Sequence, residues 1–303
     1  MFGKLFGEIT APAALADLLP IVRSWQPELV VNDAAELAGP IAAAAIGVPH
    51  VTHAFGALLP EVRVRRGGEE VAPLWRREGL EPRPYGGLYD HLYIDIYPPS
   101  LQAPGGDDHI GARQLLRPVA FAGGADQGES ADITDRTGRP LVYLTFGTVF
   151  NDSDALGVAL AGIRDAGVGL VVTVGPNGDP EMFGPQPPHV VVERYIPQTL
   201  LLPVCDVVAS HAGSGTALAA LALGIPQLCL PQAADQFLNA AAIARAGAGL
   251  AIAPEDVEAA AVGDAIRLLL DDGEFRVQVQ RLADEVAAMP SPDAVVTVLE
   301  SLV

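Results

Sequence analysis

Between residues 141 and 253 the chain repeats one pattern: a short apolar run, a turn, then residues at helical spacing. The runs "LVYLTF", "GLVVTV", "HVVVE", "DVVA", "PQLCLP" and "GLAIA" are continuous in Val, Leu and Ile instead of alternating with polar residues. A strand that is apolar on both sides has to be covered on both faces, which is the condition of parallel strands lying under helices. Helical patterns from about Asp152, in "PQTLLLP", from Ser214, in "DQFLNAAAIARA" and in three further segments supply that cover. The pattern predicts a doubly wound parallel α/β domain over residues 140–303.

The first part of the chain shows the same alternation with fewer strands. "PAALADLLPIVRSW" has helical spacing, "ELVVN" reads as a strand, "AAELAGPIAAAAIG" as a small-residue helix ended by Gly47, and "PHVTHAF" as a second strand. A mostly helical stretch to about residue 90, a weak third strand "HLYIDIY" and a loop "PPSLQAPGGDDHIGARQ" follow. Residues 122–139, polar, acidic and glycine-rich, are the expected linker. An open α/β domain has about five strands, so residues 1–121 are expected to form an incomplete domain, short of roughly 60 residues at about 30 per βαβ unit.

Composition narrows the partners. Lys and Arg number 18 against 37 Asp and Glu, a formal charge of −19, so the surface repels nucleic acid and anionic membranes. Cys205 and Cys229 lie in apolar runs without metal or redox spacing and are expected to be buried and unpaired, as in a reducing cytoplasm. No run of about 18 uncharged apolar residues suggests a membrane span, and no basic-then-apolar leader is visible.

In an open parallel sheet, ligands lie beyond the C-terminal strand ends, where loops enter helices. Four such loops stand out. "TFGTVFN" offers Gly147 and the Thr148 hydroxyl, although taken alone a plain turn is the better account. "HAGSGT" offers Gly213 and Gly215, which let main-chain N–H groups approach a ligand, with Ser214 and Thr216 to cap the helix or bind an oxyanion. The helix dipole behind it is worth about 0.3–2 kcal/mol to an anion, and His211 adds a donor. The alternative is a Ser214 cap with a buried structural histidine. No lysine follows the last glycine, so a Walker loop is excluded, and the spacing differs from a dinucleotide fingerprint. "ERYIPQ" offers the Tyr195 ring as a base platform and the Gln198 amide, and "PQAADQ" offers Asp235 and Gln236 as sugar-hydroxyl partners or a plain helix cap. A base platform, a diphosphate cradle and hydroxyl partners together make a nucleotide-sugar site.

The stretch from "ERYIPQ" to "GAGLAI" resembles the donor-binding signature of family 1 glycosyltransferases, the GT-B enzymes that include the UDP-glucosyl and UDP-glucuronosyl transferases, and is most similar to actinobacterial natural-product and macrolide transferases. The resemblance implies two Rossmann-like domains, the N-terminal one holding the acceptor and the last helix packing back onto it. It implies inverting, metal-independent transfer of a hexose or deoxyhexose from a dTDP- or UDP-sugar to an aglycone hydroxyl, with no cofactor. By position, Tyr195 would stack on the base, and Ile196 and Gln198 would contact base or ribose. His211, Ser214, Gly215 and Thr216 would hold the diphosphate, Thr148 would lie near phosphate and sugar, and Asp235 and Gln236 would bind sugar hydroxyls, with Gly147 and Gly213 counted in the same donor-binding site. Expected partners are the donor, a small-molecule acceptor and a second copy or a helper protein.

Two departures matter. Plant relatives carry a glutamate for the ribose hydroxyls where this chain has Ala219, which removes a penalty against deoxyribose and favours dTDP. The family's base histidine lies in an N-terminal strand and loop with no counterpart after Met1. Asp33 matches its dyad partner, with a helix cap as the simpler role, and His53 near the same rim is a strand histidine or an acceptor contact. Without that base the chain is expected to be weak or inactive in transfer, which leaves a non-catalytic nucleotide-sugar-binding or partner protein as the alternative and a GT-B epimerase as a third reading.

Overall fold

The computed structural model describes residues 2–120, 138–147 and 154–303. The chain divides into two compact units, Met1–Arg117 with Met289–Val303, and Pro118–Ala288.

In the first unit, helical turns Gly3–Thr10 run into α1 (Ala11–Trp25). Ala11, Leu15, Leu19 and Val22 form its buried stripe at three- and four-residue spacing, and Gln26 ends it in the left-handed region. By length and composition the helix Gly3–Trp25 is apolar enough to cross a membrane, which a search for uncharged runs passes over because Glu8 and Asp17 lie inside it. Then come β1 (Val30–Asp33), α2 (Gly39–Ile46), β2 (His50–His53), α3 (Glu61–Arg77), β3 (Leu92–Asp95) and β4 (Arg113–Leu115). The four strands are parallel in the order β1-β2-β3-β4, with Asp33 level with His53.

β4 lies at the end of the segment that the sequence reads as loop. Its three residues are only half-buried, so no apolar run announces it. A side-chain clamp holds it to β3 instead. Asp95 is fully buried, lies 2.6 Å from Arg113 Nη2, and accepts from Gln102 Nε2 at 2.9 Å and from the Tyr97 N–H at 2.8 Å. Arg113 also pairs with Asp107. Burial pushes the Asp95 carboxyl above its ordinary range, while the Tyr97 N–H and Arg113 act against that shift.

The second unit contains β5 (Leu141–Thr145), α4 (Asp154–Arg164), β6 (Gly169–Thr173), β7 (Val190–Glu193), α5 (Gln198–Leu201) and β8 (Val207–Ser210). It continues through α6 (Ser214–Ala222), β9 (Gln227–Cys229), α7 (Gln236–Arg245), β10 (Gly249–Ala251), α8 (Ala259–Asp271) and α9 (Gly273–Ala288). Its six strands are parallel in the order β10-β9-β8-β5-β6-β7. Strand periodicity sorts the side chains onto two faces. Val142, Leu144, Leu170 and Val172 pack with Leu160 and Ile163 of α4 and Ile266 of α8, whereas Leu141, Tyr143 and Val171 pack with Leu201, Ala219 and Ala220. Both faces are apolar, hence the continuous runs.

Chain order reverses between β5 and β8, so the C-terminal ends of these neighbouring strands, Thr145 and Ser210, lie side by side. Cys205 and Cys229 form no disulfide; Cys229 is buried, which pushes its thiol up to about 12, whereas Cys205 is only half-buried, against the expectation. The last helix, α10 (Pro292–Glu300), belongs to the first unit, where Val295 packs with Val51, Leu92 and Ile94.

Candidate functional site

His211 leaves β8 at the reversal point, and its imidazole fills the space beside two glycines. A Cβ on Gly147, whose φ is +75°, would lie 2.8 Å from His211 Cε1, and a Cβ on Gly213 would overlap Nε2. These two glycines therefore make room for the ring. Gly215 is different: a Cβ there meets nothing within 4 Å, so it is the glycine that faces open space. Burial lowers the pKa of His211, while the Thr145 main chain and the charge of Asp235 act in the opposite sense. Among the described residues, its buried Nδ1 meets no partner at full hydrogen-bond geometry.

The hydroxyls of this loop tie elements together instead of capping a helix. Gly213 is the N-cap of α6, with no side-chain hydrogen bond, which leaves first-turn N–H groups for a ligand oxygen. Ser214 Oγ donates to Asp235 Oδ2 at 3.1 Å, so the capping role weighed for Ser214 is not the one it plays. Thr216, only 7% exposed, accepts from Gln198 Nε2 at 2.8 Å, which joins α5 to α6.

The loop after β9 is pinned by its own helix. Gln236, 3% exposed, accepts at Oε1 from the N–H groups of Gln232 at 2.7 Å and Ala233 at 2.9 Å. The oxygen of its amide is thus already engaged by backbone, and Nε2 is the atom left for a sugar hydroxyl. Asp235 is the N-cap residue of α7 but makes no side-chain cap bond; Oδ2 accepts from Ser214 and, at 3.0 Å, from Asn239 Nδ2. Asn239 is fully buried and also reaches the Ala212 carbonyl at 2.9 Å and Ser214 Oγ at 3.1 Å. Ala212 and Ala234 hold positive φ angles of 61° and 56°, a conformation costing roughly 1–2 kcal/mol outside glycine.

After β7, Tyr195 and Ile196 point to opposite sides. Tyr195 is 55% exposed and offers its ring, whereas Ile196 is 5% exposed and packs in the core with Leu201 and Ala219. The Ile196 side chain is thus turned into the core, beside the outward ring of Tyr195. Ala219 sits in the same apolar cluster. Beneath the site, Tyr143, Thr173 and Thr145 form a buried hydroxyl chain at 2.8 and 3.0 Å, and the Gly147 N–H donates to Thr145 Oγ1 at 3.2 Å. Thr148 lies outside the described residues.

At the rim of the first unit, Asp33 is exposed, and its Oδ1 accepts from the Ala35 N–H at 2.7 Å. The cap of α2 is Glu36, which accepts from the N–H groups of Ala38 and Gly39 at 2.7 and 2.6 Å, so Asp33 is not that helix's cap. His53 Nδ1 lies 2.5 Å from the Ala54 carbonyl. At the opposite end of this sheet, buried His50 donates from Nε2 to the Gly87 carbonyl at 2.8 Å, so its Nδ1 accepts from His91 Nδ1 at 3.1 Å. Among the described residues, no cluster of three or more His, Cys, Asp or Glu side chains could hold a metal ion.

Asn239 and Thr145 are missed in the sequence. Asn239 had a signal, four residues after Asp235 and hence on the same helix face. Thr145, a strand-end residue, had none.

Comparison with known proteins covers most of the chain. The "Erythromycin biosynthesis protein CIII-like, N-terminal domain" model matches residues 6–129, and the corresponding C-terminal domain model matches residues 159–302. Elloramycin glycosyltransferase ElmGT of Streptomyces olivaceus is 32% identical over 293 residues, 95% of this chain and 70% of that protein. L-demethylnoviosyl transferase of Streptomyces niveus is 32% identical over 291 residues, 93% of this chain and 73% of that protein. The solved structure of spinosyn rhamnosyltransferase SpnG complexed with thymidine diphosphate matches with a TM-score of 0.85 and 30% identity, over 99% of this chain and 80% of that one. The same transferase complexed with spinosyn aglycone gives 0.84 and 31%, over 99% and 80%.

Proposed function

The chain belongs to the erythromycin-CIII-like family of GT-B glycosyltransferases, and from that premise we propose how its own residues divide the work. It is a hexosyltransferase of natural-product biosynthesis that moves a sugar from a nucleoside diphosphate to an aglycone. The finer assignments are ours.

The single observation that carries them is the convergence of His211, the open Gly215 and the Ser214–Asp235–Asn239 network on the N-terminus of α6 at the point where strand order reverses. A diphosphate there meets main-chain N–H groups and the positive end of the helix. Those donors do the charge balancing that a divalent cation does elsewhere, which supports metal-independent transfer. Their donation is stronger to the departing diphosphate than to the bound donor, so it favours the transition state. His211, Ser214 and Gly215 are the phosphate contacts, Thr216 and Gln198 hold the loop, and Tyr195 is the base platform. Asp235, through its carboxylate, and Gln236, through Nε2, bind sugar hydroxyls. Ala219 leaves no carboxylate to demand a ribose 2′-hydroxyl, which favours dTDP over UDP.

The acceptor belongs to the first unit. There Asp33, with Oδ1 fixed by the Ala35 N–H, supports the family role of orienting and charge-stabilising a base. That Cys205 and Cys229 form no disulfide supports a reducing cytoplasm, and the acidic charge opposes nucleic acid. No specific observation favours a non-catalytic binding protein.

Thermal-shift titration of the chain with dTDP, UDP and NAD tests the donor assignment. A stabilisation of about 2.7 kcal/mol is expected at one hundred times Kd, with dTDP ahead of UDP and no response to NAD. Stabilisation by NAD alone would overturn it.

A further inference from the structure

We propose that Asn239 is the positioning residue of the donor site, the group that makes the diphosphate loop and the sugar-binding carboxylate act as one unit. The inference rests on the donor-site reading of residues 211–216.

Asn239 lies one turn into α7, fully buried, yet its Nδ2 is within hydrogen-bond distance of three acceptors from two loops. The Ala212 carbonyl at 2.9 Å and Ser214 Oγ at 3.1 Å belong to the loop after β8, and Asp235 Oδ2 at 3.0 Å belongs to the start of its own helix. Two N–H groups thus serve three acceptors, and the Ser214 hydroxyl closes the ring by donating to the same carboxylate oxygen. Each contact has its own consequence. The bond to Ala212 braces a left-handed alanine between His211 and Gly213, and so holds the turn that presents the α6 N-terminus. The bond to Ser214 leaves its hydroxyl hydrogen directed at Asp235. The bond to Asp235 engages Oδ2 and leaves the rest of that carboxylate for a hydroxyl ligand. An aliphatic side chain would fill the same space and do none of these things, and an aspartate would set two carboxylates against each other.

The site therefore has a built-in coupling: anything that moves the diphosphate loop moves Asp235 through one amide. Among the described residues, the charged group bonded to Asn239 in this network is Asp235, on its own helix, and the charge of Asp235 acts in turn on His211.

The experiment measures dTDP and dTDP-glucose affinity by calorimetry for the wild-type chain, Asp235→Ala, Asn239→Ala and the double variant, with Asn239→Asp titrated from pH 8 to 5.5. Asp235→Ala should weaken dTDP-glucose about tenfold and leave dTDP within about twofold. Asn239→Ala should weaken dTDP-glucose about 10- to 100-fold, and adding Asp235→Ala to it should cost less than about twofold more, because the carboxylate has already lost its orientation. Asn239→Asp should be weak at pH 8 and gain about tenfold relative to wild type by pH 5.5, as the paired carboxylates come to share a proton. A residue needed only for folding would give neither the lost increment nor the pH dependence, and Asn239→Asp keeps the test open if Asn239→Ala does not fold. Additive losses in the double variant, together with a flat Asn239→Asp profile, would overturn the proposal. Failure of the wild-type chain to bind dTDP at all would instead overturn the donor-site reading beneath it.

Discussion

At the C-terminal edge of the six-stranded sheet, the described residues of the loops after β5, β8 and β9 present backbone N–H groups, hydroxyls and amides around one carboxylate, Asp235. At the same edge of the four-stranded sheet the polar groups are charged: Asp33 is exposed, and Asp95 is buried against Arg113, which also holds Asp107. The first rim suits an anion, because the N-terminus of α6 supplies N–H groups and the positive end of the helix dipole. The second, where Asp33 is exposed, disfavours a diphosphate. Two sheets of the same parallel construction thus differ in what they can hold through the charge of a few strand-end residues.

The largest expected effect breaks the charged rim. Arg113→Met leaves Asp95 buried without its cation and should cost about 3–5 kcal/mol of the first unit's stability. Denaturant unfolding would detect it, while dTDP affinity in the remaining folded chain stays near wild type. Equal loss of nucleotide binding would show that the two rims are not independent.

Next comes pH. In the folded chain the pKa of buried His50 is lowered to about 4, by burial first and then by His91. In the unfolded chain it titrates near 6.5. Below pH 6.5 the unfolded state therefore binds the extra proton, so stability is fully present above pH 6.5 and falls toward pH 4, by up to about 3 kcal/mol from this one group. His50→Gln should flatten that limb of the curve, and an unchanged slope would refute the assignment.

A smaller effect separates the glycines of the anion rim. Gly213→Ala forces the His211 ring to move and should weaken dTDP about 10- to 100-fold. Gly215→Ala meets open space, so its stability should hold or rise, by about 0.4–1 kcal/mol, while dTDP binding still falls if phosphate comes close to that backbone. The smallest is Asp33→Asn, an exposed change of about 0.5 kcal/mol or less in stability, with dTDP affinity within about twofold and any loss confined to transfer.

What the sequence could reveal follows from the same contrast. The second unit was legible because both faces of its sheet are apolar, so its strands announce themselves. β4 was not, because Arg113 is held there by a long-range ion pair that no local pattern encodes. Residue type in the loops foretold part of their arrangement, since Ser214 and Asp235 do meet across two loops and His211 lies against Gly213. The division of labour among them was not legible. That Gly147 and Gly213 clear a ring, that Ile196 turns inward beside an outward Tyr195, and that Gln236 spends its oxygen on backbone all depend on packing across elements far apart in the chain.

The central claim is that the N-terminus of α6 binds the donor diphosphate. Amide hydrogen exchange of the chain with and without saturating dTDP tests it most directly. The account predicts slowed exchange of the Gly213–Thr216 amides, with the strand ends at Asp33 and Asp95 unchanged. Binding of dTDP that leaves Gly213–Thr216 unprotected, or protects the first unit instead, would contradict it.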